Sequence, residues 1–295
     1  MNELINYLIT GVANGFIYSM IAIGFILIFK CSKIFNFAQP EITILGAYII
    51  YAATVQFKLP FMLGIGITIG LIAILALIIE RVLLRPMIGQ PILSIILLTL
   101  GLGSFVRGAI ILIWGTEWLR FPPLFPEGGV AIGRIATLSY PHVFFLSMCS
   151  LFILSLGAYY RFSRGGLAMR ATADDIIVAK VLGIKVTRVL ALTWVIASTV
   201  GGIGGALLTS VTGIHYTAVE IGFKSMAVGL VGGLESLAGV IVVGPLLGIA
   251  ETLIAGYIDP LVGGGLSEVA AYFVLMVVLI FRPHGIFGWE TIERV

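Results

Sequence analysis

A chain of 295 residues that is 60% hydrophobic and only 11% charged cannot cover a globule with polar surface, because soluble domains use charges for roughly a quarter of their residues. With a mean hydropathy of +1.15, most of it must have lipid as solvent, which excludes a soluble enzyme and a nucleic-acid binder. The net charge of +3 says little about partners; its distribution along the chain says more.

The hydrocarbon core of a bilayer takes about 20 apolar residues per helix. In chain order the qualifying windows are 4–29, 61–79, 92–114, 141–160, 189–211, 238–257 and 266–281, with two shorter, interrupted stretches at 34–55 and 221–234. The expected fold class is all-α: a polytopic integral membrane protein of about eight to nine membrane helices, one or two of them broken or short, in a single transmembrane domain over residues 1–295. The ten-residue alternations of a membrane β-barrel are absent. No Lys or Arg precedes Lys30 and the first run is too long for a signal peptide, so the first window is expected to stay in the membrane.

The stretch 34–55 reads IFNFAQPEITILGAYIIYAATV. Pro40 suits the first turn of a helix and Glu41 suits the positive end of its dipole. From 42 to 55 the helix would rise about 21 Å, short of a core about 30 Å thick. Either a helix begins near Ile34 and kinks at Pro40, or the segment is a broken helix. A half-helix N-terminus near the midplane is a known way to hold an anionic group, and Asn36, Gln39 and Glu41 would then line a path. The plainer alternative is a turn where the chain enters the membrane. Arg107 and Glu251 also lie inside apolar windows, where charge is costly and usually faces a bundle interior or water. They are candidates to pair with each other, or to reach an interface. Farther along, 221–238 reads IGFKSMAVGLVGGLESLA, a second short and Gly-rich segment that mirrors the first, and paired interruptions point to a pathway.

Between these lies a basic loop, about 161–188, holding Arg161, Arg164, Arg170, Lys180, Lys185 and Arg188. Within it, 167–182 (LAMRATADDIIVAKVL) reads as one short helix with Gly183 as its C-terminal cap. Such a helix either docks into a groove on a partner protein or lies at the lipid interface. Lys30, Lys33, Arg81, Arg85 and Arg282 fall on the same side if the N-terminus is outside and the C-terminus cytoplasmic, as the positive-inside rule requires. The segment 115–140, with Arg120 and Arg134, and the turn 258–265 then fall outside. Gly11/Gly15, Gly66/Gly70, Gly201/Gly205, Gly229/Gly233 and Gly244/Gly248 have the spacing that lets helices approach closely. Cys31 and Cys149 form no disulfide scaffold or Cys-based metal site, and His142, His215 and His284 make no metal constellation. No cofactor, no metal and no catalytic residue is expected. No GxxxxGK[ST] loop is present, so ATP chemistry, if any, belongs to another chain.

Taken end to end, the motif string resembles the Liv-type permeases of branched-chain amino-acid ABC importers. The resemblance rests on GVANGFIYSMIAIGFILIFKCSKIFNFAQPEITILGAYI, on Thr99-Leu100-Gly101, on RGGLAMRATADDIIVAKVLGIKV, on GGIGGALL, on FKSMAVGLVGGLESLAGVIVVGPLLGIAET and on FRPHGIFG, in order and over nearly the whole chain. Pro40 departs from the Gly that the family commonly has there. The resemblance implies an inner-membrane subunit that works with a second, homologous permease as a heterodimer, cytosolic ABC ATPases and an extracytoplasmic substrate-binding protein. It implies a coupling helix with Arg170, Ala171, Asp174, Asp175 and Gly183 in contact with an ATPase, and it adds Thr99, Gly232 and Gly233 to the pathway candidates Asn36, Gln39, Glu41, Arg107 and Glu251. Urea, short amides or other amino acids are the alternative cargoes. An ion-coupled secondary transporter using Glu41, Arg107 and Glu251, or a passive channel, is the alternative mechanism.

Overall fold

The computed structural model describes residues 2–122, 128–132 and 136–288. Among them, six helices are long and apolar enough to cross a membrane, and a seventh apolar helix is shorter. In order, α1 (Asn2–Ser32) is followed by the short α2 (Gln39–Tyr51), α3 (Phe61–Ile79) and α4 (Ile92–Trp114). A two-stranded antiparallel hairpin, β1 (Gly129–Ile132) and β2 (Ala136–Ser139), leads into α5 (Tyr140–Phe162). Two small helices, α6 (Arg164–Asp174) and α7 (Ile176–Val181), precede α8 (Val186–Thr212). The chain ends with the short α9 (Glu220–Gly232), then α10 (Leu237–Leu253), α11 (Asp259–Val262) and α12 (Leu266–Phe281). Single π-helical turns extend α2, α3 and α10 at their C-terminal ends. The molecule is a polytopic all-α membrane protein.

Burial ranks the helices. Over their most apolar windows α1 is 78% and α8 67% buried, against 28% for α4 and 17% for α5, so α1 and α8 form the centre and α4 and α5 present broad faces to lipid or to partners. The closest neighbour of α1 is α10, and glycine makes the approach possible. A Cβ on Gly11 would lie 2.6 Å from the Cα of Ile249, and one on Gly248 would strike the Gly11 carbonyl. Gly15 and Gly244 meet in the same seam. Helices in lipid gain little from burying apolar surface against each other, so such backbone-to-backbone packing supplies much of the association. Gly205 does the same for α8 against the Thr43 backbone of α2 and Gly201 makes room for the Gln39 side chain, whereas Gly66 and Gly70 face open space.

Two sequence expectations are sharpened. The interrupted stretch 34–55 does not begin its helix at Ile34; the chain is non-helical at 34–36, makes a turn at 37–38, and α2 starts at Gln39. The segment 167–182 is not one helix but two, because the Asp175 carboxylate accepts from Ile177 N (2.7 Å) and Val178 N (2.9 Å) and so caps a new helix at the break.

Contacts gather Lys30, Lys33 and Lys180 at one end of the bundle. Lys33 pairs with Glu235 at 2.6 Å, Lys30 lies over the Tyr160 ring, and one cleft is lined by Lys33, Gln90, Lys180 and Thr187 together. At the opposite end Leu119 and Ile214 exchange backbone hydrogen bonds of 2.9 and 2.8 Å, and Trp118 stacks on His215. Arg134 lies outside the described residues.

Candidate functional site

The site begins where α2 begins. Its first residue, Gln39, reaches Ala197 O on α8 through Nε2 (2.9 Å), near the middle of that 27-residue helix. The helix therefore starts inside the bundle and leaves backbone groups that water cannot satisfy. Asn36 and Thr99 satisfy them. Ala38 N donates to Asn36 Oδ1 (3.1 Å), Asn36 Nδ2 donates to Gln39 Oε1 (3.1 Å), and Phe37 N donates to the Thr99 hydroxyl of α4 (3.3 Å). Asn36, Gln39 and Thr99 are all buried. They build the turn.

The second short helix meets the first. A Cβ on Gly222, in the opening turn of α9, would collide with Pro40 Cα. Pro40 has no amide hydrogen to leave unsatisfied, and Gly222 has no side chain to intervene. The two half-helices thus abut through their N-terminal turns, and each carries charge there.

On α2, Glu41 accepts at Oε1 from Arg107 Nη2 of α4 at 2.7 Å. The Glu41 side chain is 6% exposed and that of Arg107 is 42% exposed. The pair is incomplete, because Glu41 Oε2 and Arg107 Nε are both buried without a hydrogen-bond partner. The Glu41 carboxyl lies over Gly103, where a Cβ would approach Oε2 to 3.1 Å. An arginine at this depth costs about 2.5–3.5 kcal/mol to insert on translocon scales, so its exposed part calls for water or a polar partner.

On α9, Lys224 donates to Glu251 Oε1 of α10, and Tyr18 of α1 donates to Glu251 Oε2 at 2.7 Å. Lys224 and Glu251 are 10% and 16% exposed. Both carboxylate oxygens are engaged and three helices are tied at one point. Arg107 and Glu251 therefore do not pair with each other; each has a nearer partner. Lys224 and Tyr18 escaped the sequence reading. Lys224 was visible as a lone cation in a Gly-rich apolar segment, but Tyr18 carried no signal.

The remaining candidates fall elsewhere. Gly232 packs backbone against backbone with Gly239 and Val240, and Gly233 takes a positive φ of 97° against Gly288. Both shape the turn into α10, away from the half-helix junction. In the basic loop, Arg170 donates to the Tyr160 and Arg161 carbonyls and lies over the Tyr160 ring, tying α6 to the C-terminus of α5. Ala171 is half-buried, Asp174 and Asp175 are exposed, and Gly183 follows α7 with a positive φ of 83°. Beside it Ile177, Val178, Val181 and Leu182 stand exposed.

Residues 7–282 match the family model described as "Branched-chain amino acid transport system / permease component". The chain is 30% identical over 299 residues to the high-affinity branched-chain amino acid transport system permease protein LivH of Escherichia coli K12, covering 97% of this chain and 96% of that one. It is 29% identical over 312 residues to BraD of Pseudomonas aeruginosa, covering the whole of both, and 25% identical over 293 residues to a probable LivH of Methanocaldococcus jannaschii. Among solved structures, PsaBC from Streptococcus pneumoniae in complex with Fab aligns over 95% of this chain and 91% of that one, with a TM-score of 0.52 and 13% identity, a likeness of fold. Membrane spans, paired half-helices and a family match across nearly the full length converge, and the chain belongs to the permease component family of branched-chain amino acid transport systems.

Proposed function

We propose that this permease forms the translocation pathway of an ATP-driven importer for branched-chain amino acids, together with a second, related permease, cytosolic ATPases and an extracytoplasmic binding protein. The basic end is cytoplasmic in this reading, with the N-terminus outside and the C-terminus inside. The observation that carries it is the α6–α7 elbow. Four apolar side chains, Ile177, Val178, Val181 and Leu182, stand exposed beside a cluster of basic groups, on a helix capped by Asp175 and closed by Gly183. An apolar knob of this kind beside the membrane suits the groove of a partner, here an ATPase whose closure is passed through Arg170 to α5. The names of LivH and BraD support the choice of cargo. At the opposite end, the joined segments around Trp118 and His215 form the dock for the binding protein.

The test is a gentle-detergent purification of this chain from its membrane, with mass spectrometry of what accompanies it and uptake of leucine, isoleucine and valine. A second permease and phosphate-loop ATPases support the reading. Recovery of an intact chain alone, or uptake that follows an ion gradient without ATP, overturns it. Leu182→Asp should abolish ATP-driven uptake while the protein still inserts.

A further inference from the structure

We propose that Glu41 and Arg107 form the site that takes the charged head of a zwitterionic α-amino acid as it crosses the membrane. This rests on the amino-acid import reading above and names the groups that act.

The pair is unfinished in a way that fits one ligand class. Arg107 gives one hydrogen bond to Glu41 and keeps Nε without an acceptor; Glu41 keeps Oε2 without a donor. Both atoms are buried while the pair is closed, so an α-amino acid meets them as the pair parts, bringing the complement of both, a carboxylate for the guanidinium and an ammonium for the carboxylate. Guanidinium and carboxylate match in planar, two-point geometry, so the open side of Arg107 suits the ligand carboxylate. The protein pair and the ligand are each neutral as a whole, so exchange between them leaves no net charge stranded in the membrane. Glu41 also sits in the first turn of α2, whose positive dipole end favours an incoming anionic group.

Position supports the same conclusion. Glu41 lies against Gly103, near the middle of the 23-residue α4, and Arg107 is exposed on the flank that also carries Ser104, one turn away. The flank of α4 turned away from Arg107 lines an apolar groove against α3 with Leu98, Leu102 and Phe105, and offers no polar group. The Lys224–Glu251–Tyr18 cluster is a poor rival, since both of its carboxylate oxygens are taken.

The experiment uses the assembled transporter in its membrane, with Ser104→Cys and Phe105→Cys made singly; the native Cys31 and Cys149 are buried. A membrane-impermeant thiol reagent should label S104C and not F105C, and leucine delivered during turnover should slow S104C labelling, whereas leucinol, which has no carboxylate, should not. Arg107→Gln should lower leucine uptake about 30-fold, as loss of a charge-assisted hydrogen bond implies, with ATP hydrolysis retained. Arg107→Lys should recover part of the uptake, keeping charge without the fork. Wild-type uptake by R107Q overturns the proposal, and so does an S104C that leucine does not protect. If R107Q fails to reach the membrane, the protection of S104C in otherwise native protein decides. A wild-type complex that imports no leucine but whose S104C is protected by another amino acid overturns the branched-chain cargo and supports this site.

Discussion

At the centre of the bundle, Glu251 has both carboxylate oxygens engaged, by Lys224 and Tyr18, whereas Glu41 has one engaged, by Arg107. The first cluster ties α1, α9 and α10 and is nearly buried; the second joins α2 to the weakly packed α4 and leaves its arginine half-exposed. The same chemical pair, one carboxylate and one cation, serves two ends. Closed on all sides it fastens a half-helix to the scaffold, and left open on one side it keeps valence for something that arrives. A charge inside an apolar span is thus not by itself a sign of a pathway; what matters is whether its neighbours exhaust its hydrogen bonds.

The difference can be broken by substitution, beginning with the largest effect. Lys224→Met leaves the buried Glu251 carboxylate without its cation, held by Tyr18 alone, and should cost about 3–5 kcal/mol, seen as a collapse of the melting temperature in detergent and low membrane abundance. Tyr18→Phe removes one hydrogen bond to a charged group and should cost about 1.5–3 kcal/mol by the same measurement. Gly15→Ala forces a methyl into the α1–α10 backbone seam beside that cluster and should cost about 1–3 kcal/mol, while Gly66→Ala, which faces open space, should leave the melting temperature unchanged. Arg107→Gln takes the cation from a carboxylate that is itself 6% exposed and should cost about 1–3 kcal/mol, less than Lys224→Met because the side chain removed is half-exposed and Gln can still donate, despite its large loss of uptake. A melting shift for R107Q as large as that for K224M would erase the distinction between fastener and receiver.

Much of this architecture was legible in the residues. The long apolar runs located the spans, the basic groups were assigned to one end, and the two weak segments marked where helices are interrupted. Glu41, Arg107 and Glu251 stood out because charge is rare in apolar windows. Their partners did not, because pairing joins positions far apart in the chain: Glu41 is 66 residues from Arg107, and Tyr18 is 233 from Glu251. Periodicity within a helix carries no information about which face meets which helix. Asn36 and Gln39 were read as lining a path from the half-helix start, and Thr99 from the resemblance; their hydrogen bonds go to the α2 turn, to one another and to Ala197 of α8. The break at Asp175 was hidden by good helix formers on both sides, although an aspartate ahead of a fresh apolar turn is itself a capping signal.

The contact between Pro40 and Gly222 has an electrostatic consequence. Two helices that touch through their N-terminal turns bring two positive dipole ends together, each equivalent to roughly half an elementary charge. Glu41 in the first turn of α2 and Glu220 in the first turn of α9 offset those ends. A permease must open a route for its cargo without draining the ion gradients of the cell. Balanced in this way, the closed junction of the half-helices presents no net charge to draw an ion in.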